Sequence, residues 1–312
     1  FTTGLSVTSS AGQAATTAVP VDSRNATTNG SDIDTTAERV ARFGSIDGVG
    51  GGDDTITTGS AVDYFLFRGD NALTSLDQLT AGGQTGASGA VIGDTLVLEG
   101  DTTPNGVGAF NGFRGFEVVL LESAVGSGNR TQPTTTAIAG FGNVYNLTIV
   151  NDNAPTTGAL FINGSNLKAA TTGVTGNVAE TVTINASAVT AFALDITTGN
   201  AGDTITLSNS AFAARVVTQG GNDTVNDGTG GADDIIDVGL GNDTVNLVSG
   251  NNTVFSEGGN NIINAGSGND TVFTGGGSDI VVFGTGELTS SDTLADAGGF
   301  DAISVVSTTA DG

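Results

Sequence analysis

The sequence contains no cysteine, histidine, methionine or tryptophan. Without cysteine, the chain can form neither a disulfide nor a thiolate metal site. Without histidine, it has no zinc site of the usual kind, no Ser-His-Asp triad and no imidazole acid–base chemistry. A metal bound by this chain would have to be held by oxygen ligands.

Basic residues are also scarce. Eight Lys and Arg stand against 33 Asp and Glu, which gives a formal charge of −25. Binding to nucleic acid depends on Lys and Arg contacts to phosphate, so this charge argues against a nucleic-acid partner. No run of 18 apolar residues occurs, so the sequence predicts no membrane-spanning helix.

Catalytic groups are not evident in the sequence. The adjacent pairs Asp53/Asp54 and Asp233/Asp234 resemble acid–base pairs, but neighbouring side chains on a strand point to opposite faces. Lys168 and Arg215 are the only basic residues after position 130, and they share no motif. We therefore expect no catalytic residues and predict that the chain is not an enzyme.

Glycine and aspartate are the residues present in excess. The 312 residues include 50 Gly, and Asp outnumbers Glu by 26 to 7. Asp favours turns whereas Glu favours helices, and 37% of the chain is apolar, so the composition predicts a turn-rich all-β protein. Only two short helices are expected, at 36–43 and 75–79.

A repeat of nine to ten residues runs from Gly220 to Phe283. In each copy an Asp or Asn stands two places before an aliphatic residue. The polar positions are Asp223, Asp233, Asp243, Asn252, Asn261, Asp270 and Asp279. The aliphatic partners are Val225, Ile235, Val245, Val254, Ile263, Val272 and Val281. One inward aliphatic in each short strand gives one layer of core for each turn.

These segments, such as GLGNDTV at 239–245 and GSGNDTV at 266–272, resemble the calcium-binding nonapeptide of the RTX family. The resemblance implies a parallel β-roll in which Gly-rich turns and Asp carboxylates hold Ca²⁺. The expected glycines at these sites are Gly221, Gly241, Gly268 and Gly277. A metal-free roll with stacked polar turns is the alternative.

Two nonapeptides make one coil of such a roll, so residues about 18 apart stack. One edge should carry Asp223, Asp243, Asn261 and Asp279, and the other edge Asp233, Asn252 and Asp270. Asn supplies an oxygen without charge, so calcium sites that share Asn252 or Asn261 should be weaker. Weaker copies of the motif add the predicted ligands Asp54, Asp63, Asp292 and Asp301.

The middle of the chain carries a second repeat. Segment 175–189 matches 198–212 at an offset of 23 residues, and the alternation in both indicates strands. A parallel β-solenoid with wide coils that continues into the roll is expected, with a β-sandwich at 130–215 as the alternative. The predicted regions are listed in chain order: 1–44, linker-like with a short helix; 45–130, a β-rich module; 131–217, the repeated strands; and 218–312, the roll.

Together these features predict a secreted calcium-binding structural protein. Its composition is like that of bacterial surface-layer proteins, and 45–125 resembles modules of RTX-bearing secreted proteins. Self-association into a lattice or homopolymer is expected, with cell-surface polysaccharide as a further partner. The resemblance implies type I export. A spacer of an RTX adhesin, or the non-catalytic C-terminal part of a type I secreted hydrolase, is the alternative. We interpret the chain, which lacks an initial Met, as a segment of a longer product.

Overall fold

The computed structural model describes residues 6–10, 31–34, 39–44, 53–57, 63–68, 78–81, 94–99, 113–122, 144–155, 158–170, 179–209, 211–299 and 301–306. These residues form 24 β-strands and one short 3-10 turn, Asn151–Asn153. The first strands are β1 Ser6–Ser10, β2 Ser31–Asp34, β3 Arg39–Gly44, β4 Asp53–Thr57, β5 Asp63–Arg68, β6 Gln78–Thr80, β7 Thr95–Glu99, β8 Phe113–Arg114 and β9 Val118–Leu121. The remaining strands are β10 Val144–Thr148, β11 Ala159–Asn163, β12 Thr181–Asn185, β13 Ala193–Thr197, β14 Thr204–Thr206, β15 Ala214–Val217, β16 Thr224–Asn226, β17 Ile235–Asp237, β18 Thr244–Asn246, β19 Thr253–Gly258, β20 Ile262–Asn264, β21 Thr271–Gly277, β22 Ile280–Phe283, β23 Thr293–Gly299 and β24 Ala302–Val305.

The strands form three sheets. Sheet I has the order β1-β4-β6-β8, sheet II runs β2-β3-β5-β7-β9 and on through the odd strands to β23, and sheet III runs through the even strands from β10 to β24. From β10 onward the chain therefore alternates between sheets III and II, and every pair of neighbouring strands is parallel. This is the predicted solenoid, and the β-sandwich alternative is wrong.

One column of aliphatic side chains from each sheet fills the solenoid. In sheet III the column contains Leu147, Ile184, Ile205, Val225, Val245, Ile263 and Val281. In sheet II it contains Ile162, Ile196, Val216, Ile236, Val254 and Val272. All are 5% exposed or less. Full burial of such a side chain is worth about 1.5–3 kcal/mol, so each coil adds its own layer of core.

Both predicted helices are wrong where the structure describes them. Residues 39–43 of the first lie in β3, which pairs in parallel with β5, Val40 lying opposite Tyr64. Residues 78 and 79 of the second begin β6, in which Leu79 lies opposite both Ile56 and Phe113. Local helix propensity is a weak preference, and pairing with neighbouring strands overrides it here.

The middle repeat is stacked with a different offset from the one predicted. The sequence match places Ile184 beside Leu207, whereas the structure places Ile184 opposite Ile205 and Thr183 opposite Thr204. The slip is two residues, and because side chains alternate with a period of two, the same residues still face the core. Ala186 then lies beside Leu207, as the hydrogen bond from Ala186 N to Thr206 O shows.

The stack crosses the predicted boundary at 217–218 without a break, because β15 pairs directly with β17 and β14 with β16. Within the ranges that the structure describes, no helix has the length and apolar character needed to cross a membrane.

Candidate metal centre

The connections from sheet II to sheet III form one edge of the solenoid, which we call edge 1. From β13 onward, each of these connections ends in a polar residue that immediately precedes a sheet III strand. This set, named column 1, is Asp203, Asp223, Asp243, Asn261, Asp279 and Asp301. The predicted stack of Asp223, Asp243, Asn261 and Asp279 is thus found, and Asp301 continues it.

Column 1 is held by a continuous ladder of hydrogen bonds. The backbone N–H of Asp203 donates to Asp223 Oδ1 at 2.7 Å, and that of Asp223 donates to Asp243 Oδ1 at 2.8 Å. The same bond, at 2.8 Å, links Asp243 to Asn261, Asn261 to Asp279 and Asp279 to Asp301. Each turn therefore uses one side-chain oxygen to fix its distance from the coil before it.

The connections from sheet III to sheet II form edge 2, which carries a second ladder. Its members, column 2, are Asp234, Asn252, Asp270 and Asp292. The backbone N–H of Ala214, at the same position one coil earlier, donates to Asp234 Oδ1 at 2.7 Å. The predicted ligand Asp292 therefore has a place in the ladder, as Asp301 does on the other edge.

Asp233, which the repeat pattern placed in this stack, is not a member of column 2. The buried residue is Asp234, with 3% of its surface exposed. The reason lies in the next strand, where Ile236 packs between Val216 and Val254 and Ile235 is 48% exposed. Because Ile236 rather than Ile235 faces the core, the aspartate two places before it, Asp234 rather than Asp233, lies in the column.

Asp233 belongs instead to an outer row on the exposed side of edge 2. The backbone N–H of Asn251 donates to Asp233 Oδ1 at 2.7 Å, and that of Asn269 donates to Asn251 Oδ1 at 2.9 Å. A matching row on edge 1 contains Asn222, Asn242, Asn260 and Ser278. These outer rows give the turns that contain them a second link to a neighbouring coil.

Seven of the ten column residues have a glycine two residues before them. At Gly241, φ is +151°, and an added Cβ would lie 1.4 Å from the Gly221 carbonyl oxygen. The predicted Gly221, Gly268 and Gly277 have the same positive φ and the same close approach to the previous coil. Three further glycines two residues before a column residue share both properties: Gly250, Gly259 and Gly299. Backbone carbonyl groups of successive turns therefore lie one above the other beside each column.

The second oxygen of most column carboxylates has no partner. Oδ2 of each is buried and accepts no hydrogen bond at Asp203, Asp223, Asp243, Asp270 and Asp279. A buried carboxylate oxygen without a donor or cation is costly, because the charged form loses its water. The ladder satisfies Oδ1 alone, which leaves one negative oxygen in each of these turns for a ligand.

Burial shifts the titration of these groups. Loss of water raises the pKa of Asp203, Asp234 and Asp243 to about 7. It raises the pKa of Asp223 and Asp270 to about 6. After desolvation, the charge of Asp223 also raises the pKa of Asp203, and hydrogen bonds from backbone N–H groups oppose the shift. The negative charge of the columns is therefore unfavourable as the fold stands.

Calcium fits this donor set. Within the described ranges, no three acidic side chains converge on one point, so an ion here would take one or two carboxylates and complete its shell with other oxygens. The stacked carbonyl groups of the glycine turns provide such oxygens. Ca²⁺ accepts six to eight oxygen ligands with flexible geometry, whereas Mg²⁺ demands a strict octahedron.

Two column residues have no counterpart in the sequence prediction. Asp203 precedes the strand residues Thr204 and Ile205, so its Asp-Thr-Ile run carries the repeat signature, but Ala201 replaces the usual glycine. Asp234 was missed because the adjacent Asp233 also stands two places before an isoleucine and fits the repeat pattern. The predicted ligands Asp54 and Asp63 fall in β4 and β5, whose side chains lie outside the described part of the structure.

Comparison with protein-family models found one match. Residues 248–281 match the model of the RTX calcium-binding nonapeptide repeat, with four copies. The matched segment spans column residues of both edges, from Asn252 to Asp279. No curated protein and no solved structure matches the chain. The match confirms the family resemblance read from the repeats, and it shows repeats of a calcium-binding family.

Proposed function

We propose, on the premise that this chain is an RTX-type repeat protein, that it is a calcium-gated structural segment of an extracellular assembly and not an enzyme. The observation that carries the proposal is the set of buried carboxylate oxygens without partners in columns 1 and 2. Each belongs to a turn that immediately precedes a strand, and in most of these turns a glycine lies against the backbone carbonyl of the previous coil.

Calcium would act by completing the turns. Without a cation, each buried Oδ2 lacks its water, and successive carboxylates in a column repel one another. With Ca²⁺ between turns, the charge is neutralised, and the free energy of binding becomes free energy of folding. Extracellular calcium sites bind with Kd on the order of 10⁻⁴–10⁻³ M, so the roll would stay unfolded inside the cell and fold after export.

An assembly role is supported by the outer surface of the roll. Five large apolar side chains point outward from its two sheets and are 38–48% exposed: Ile235, Phe255, Ile262, Phe273 and Ile280. The Phe255 and Phe273 rings stack with centroids 5.1 Å apart and planes 6° from parallel. Such apolar surface on a chain of charge −25 suits association with another copy once calcium has reduced the repulsion.

Electron microscopy of the purified chain, in millimolar Ca²⁺ and in chelator, tests the proposal. We expect ordered sheets or fibres in calcium that disperse when calcium is removed. A Phe255→Thr, Phe273→Thr variant should still fold in calcium but should assemble poorly. Thr224→Ser, an outward polar change on β16, is the matched control and should assemble normally.

Discrete monomers in millimolar calcium would contradict the assembly role. If those monomers fold with calcium and bind cell-surface polysaccharide or a cell surface, the chain is an adhesin spacer. If they fold but bind nothing, the non-catalytic tail of a secreted hydrolase becomes the better description. A chain whose circular dichroism is the same in chelator and in calcium would contradict the calcium gate itself.

A further inference from the structure

A column of hydroxyl groups lies inside edge 1, five residues before each column 1 residue. Thr198, Thr218, Ser256 and Thr274 occupy it, and all four are buried. The register places Ser256 opposite Thr274, and identical backbone hydrogen bonds place Thr198 and Thr218 in line with Val238. Val238 is the one position between Thr198 and Thr274 without a hydroxyl.

Edge 2 has no such column. The residues five places before Asn252 and Asp270 are Leu247 and Ala265, which are buried and apolar. Thr229, five places before Asp234, is exposed and does not line the interior of the edge. The two edges therefore differ chemically, although both follow the same ladder of Oδ1 hydrogen bonds. Edge 1 combines carboxylates with hydroxyls, and both kinds of oxygen can bind a hard cation such as Ca²⁺.

The first turn of edge 1, residues 198–203, shows this combination most clearly. Thr198 is 0% exposed and Asp203 is 2% exposed. Neither Thr198 Oγ1 nor Asp203 Oδ2 has a hydrogen-bond partner, although both atoms are buried. A weak interaction of this hydroxyl with the Asp203 carboxylate lowers the pKa of Asp203 against the larger effect of burial, but the two groups are not aligned as a full hydrogen bond.

The other oxygens around this turn are already placed. Asp203 Oδ1 accepts the backbone N–H of Val182 at 2.7 Å, and the backbone N–H of Asp203 donates to Asp223 Oδ1. The Ala201 carbonyl oxygen faces the next turn and would lie 2.4 Å from a Cβ on Gly221. Asp223 Oδ2, one coil further, is also buried without a partner. Among the buried side-chain oxygens of this turn, the Thr198 hydroxyl and the two Oδ2 atoms form no well-aligned hydrogen bond.

We infer that Thr198 Oγ1 and Asp203 Oδ2 are ligands of a divalent cation at this turn, with the Asp223 carboxylate on the adjoining coil. This site lies upstream of the matched segment 248–281, and it has Thr198 and Ala201 where the nonapeptide has glycine. The inference rests on the proposed calcium function. With this site, calcium binding would begin at the last wide coil. The ion would contact that coil through Thr198 and Asp203 and the first coil of the roll through Asp223, and so would join the two regions.

Counting bound Ca²⁺ by native mass spectrometry tests the site. We compare the full chain with Asp203→Asn and Thr198→Val, the latter a nearly isosteric removal of the hydroxyl. Asp203→Asn should lose one ion per chain, and Thr198→Val should weaken one ion about tenfold. The controls are Asp195→Asn and Thr204→Val, which change outward-facing groups on β13 and β14 and should leave the count unaltered.

Hydrogen exchange of the amides of Val182 and Asp203 gives a second, local readout. Calcium should protect both in the wild-type chain and less so in Thr198→Val, while protection at residues 253–283 stays the same. Equal counts and equal protection in both variants would overturn the inference and leave the proposed function standing. No bound calcium in the wild-type chain would overturn both. If Asp203→Asn fails to fold, Thr198→Val alone decides.

Discussion

The solenoid has two regions that share the same two sheets: the wide-coil region, the described part of residues 144–200, and the roll, the described part of residues 201–306. The two regions differ in the residue types at the positions in line with columns 1 and 2. In the wide-coil region the positions in line with the columns hold apolar or aromatic residues: Tyr145 and Val182 on edge 1, and Leu160 and Leu194 on edge 2. In the roll, those positions hold Asp or Asn, except for Ala214 in the first coil of edge 2. At these positions the first arrangement is completed by packing and by the hydrogen bonds of Tyr145, whereas the second leaves buried carboxylate oxygens without partners.

Tyr145 shows how the wide-coil region satisfies its own polar groups. Its ring is fully buried, and its hydroxyl lies 3.0 Å from the Leu98 carbonyl oxygen and 2.6 Å from that of Glu122. Each wide coil contains more residues than a coil of the roll, and it places larger side chains in the core. The short coils of the roll have one aliphatic per strand, so they depend more on what the turns bind. This difference predicts unequal responses to metal, pH and mutation.

Removal of calcium should separate the two regions most strongly. In chelator we expect amides of the roll at 253–283 to exchange rapidly while those at 144–149 and 159–163 stay protected, because these wide coils lie away from the proposed cation sites. Hydrogen exchange measured by mass spectrometry in Ca²⁺ and in chelator checks this. Restoration by Ca²⁺ but not by Mg²⁺ is the control. Equal protection of both regions in chelator would contradict the comparison.

A rise in pH should destabilise the metal-free roll, so it should act in the same direction as the removal of calcium. Five column carboxyls have folded-state pKa values of about 6 to 7, above the value of about 3.9 in an unfolded chain: Asp203, Asp223, Asp234, Asp243 and Asp270. Their protonated forms therefore favour the fold, and this contribution is complete below about pH 4 and lost as the pH rises to about 7. We expect the metal-free roll to lose strand signal in circular dichroism between these values.

Calcium should reverse that dependence. Protons compete with Ca²⁺ for Oδ2, so the calcium-loaded roll should lose stability as the pH falls. Thermal unfolding across the same pH range, with and without Ca²⁺, measures both slopes. The same slope in both conditions would show that the column carboxylates do not bind the ion.

A single methyl group in a glycine turn should break the roll. Gly241→Ala would place Cβ against the Gly221 carbonyl oxygen at positive φ, and we expect a loss of about 3 kcal/mol or more in the free energy of unfolding. Gly286→Ala is the matched control, since its φ is +79° but no atom lies within 4 Å of the added Cβ. Its cost should be about 1–2 kcal/mol. Denaturant titration in Ca²⁺ compares them.

The smallest predicted effect concerns a natural interruption of column 1. Asn261→Asp restores a carboxylate between Asp243 and Asp279 at a position that is 1% exposed. It should raise calcium affinity at that edge several-fold, and it should destabilise the metal-free roll by about 1 kcal/mol through repulsion between like charges. Calcium titration and chelator unfolding measure the two effects, which should have opposite signs. Asn251→Asp in the exposed outer row is the control.

The repeats were readable from sequence because each carries its own core residue. Val225, Val245 and Val281 repeat with their aspartates at a nearly constant spacing, and the structure buries all three. Asp234 was not readable, because Ile235 and Ile236 are both acceptable core residues and only stacking on Val216 and Val254 selects one. The predicted offset of the middle repeat was wrong for a related reason. A slip of two residues leaves the same side chains facing the core, so the sequence pattern does not distinguish the two offsets.

The sequence by itself determined the fold class, the parallel repeat and the oxygen-based chemistry of the turns. Those depend on residue type and spacing, which are local. Only the tertiary structure decided which oxygens lack partners, which of two adjacent aspartates enters the column, and that edge 1 carries hydroxyls where edge 2 carries aliphatic groups. Those depend on which coil lies against which, and residues about 20 positions apart in the chain become neighbours only when the coils stack.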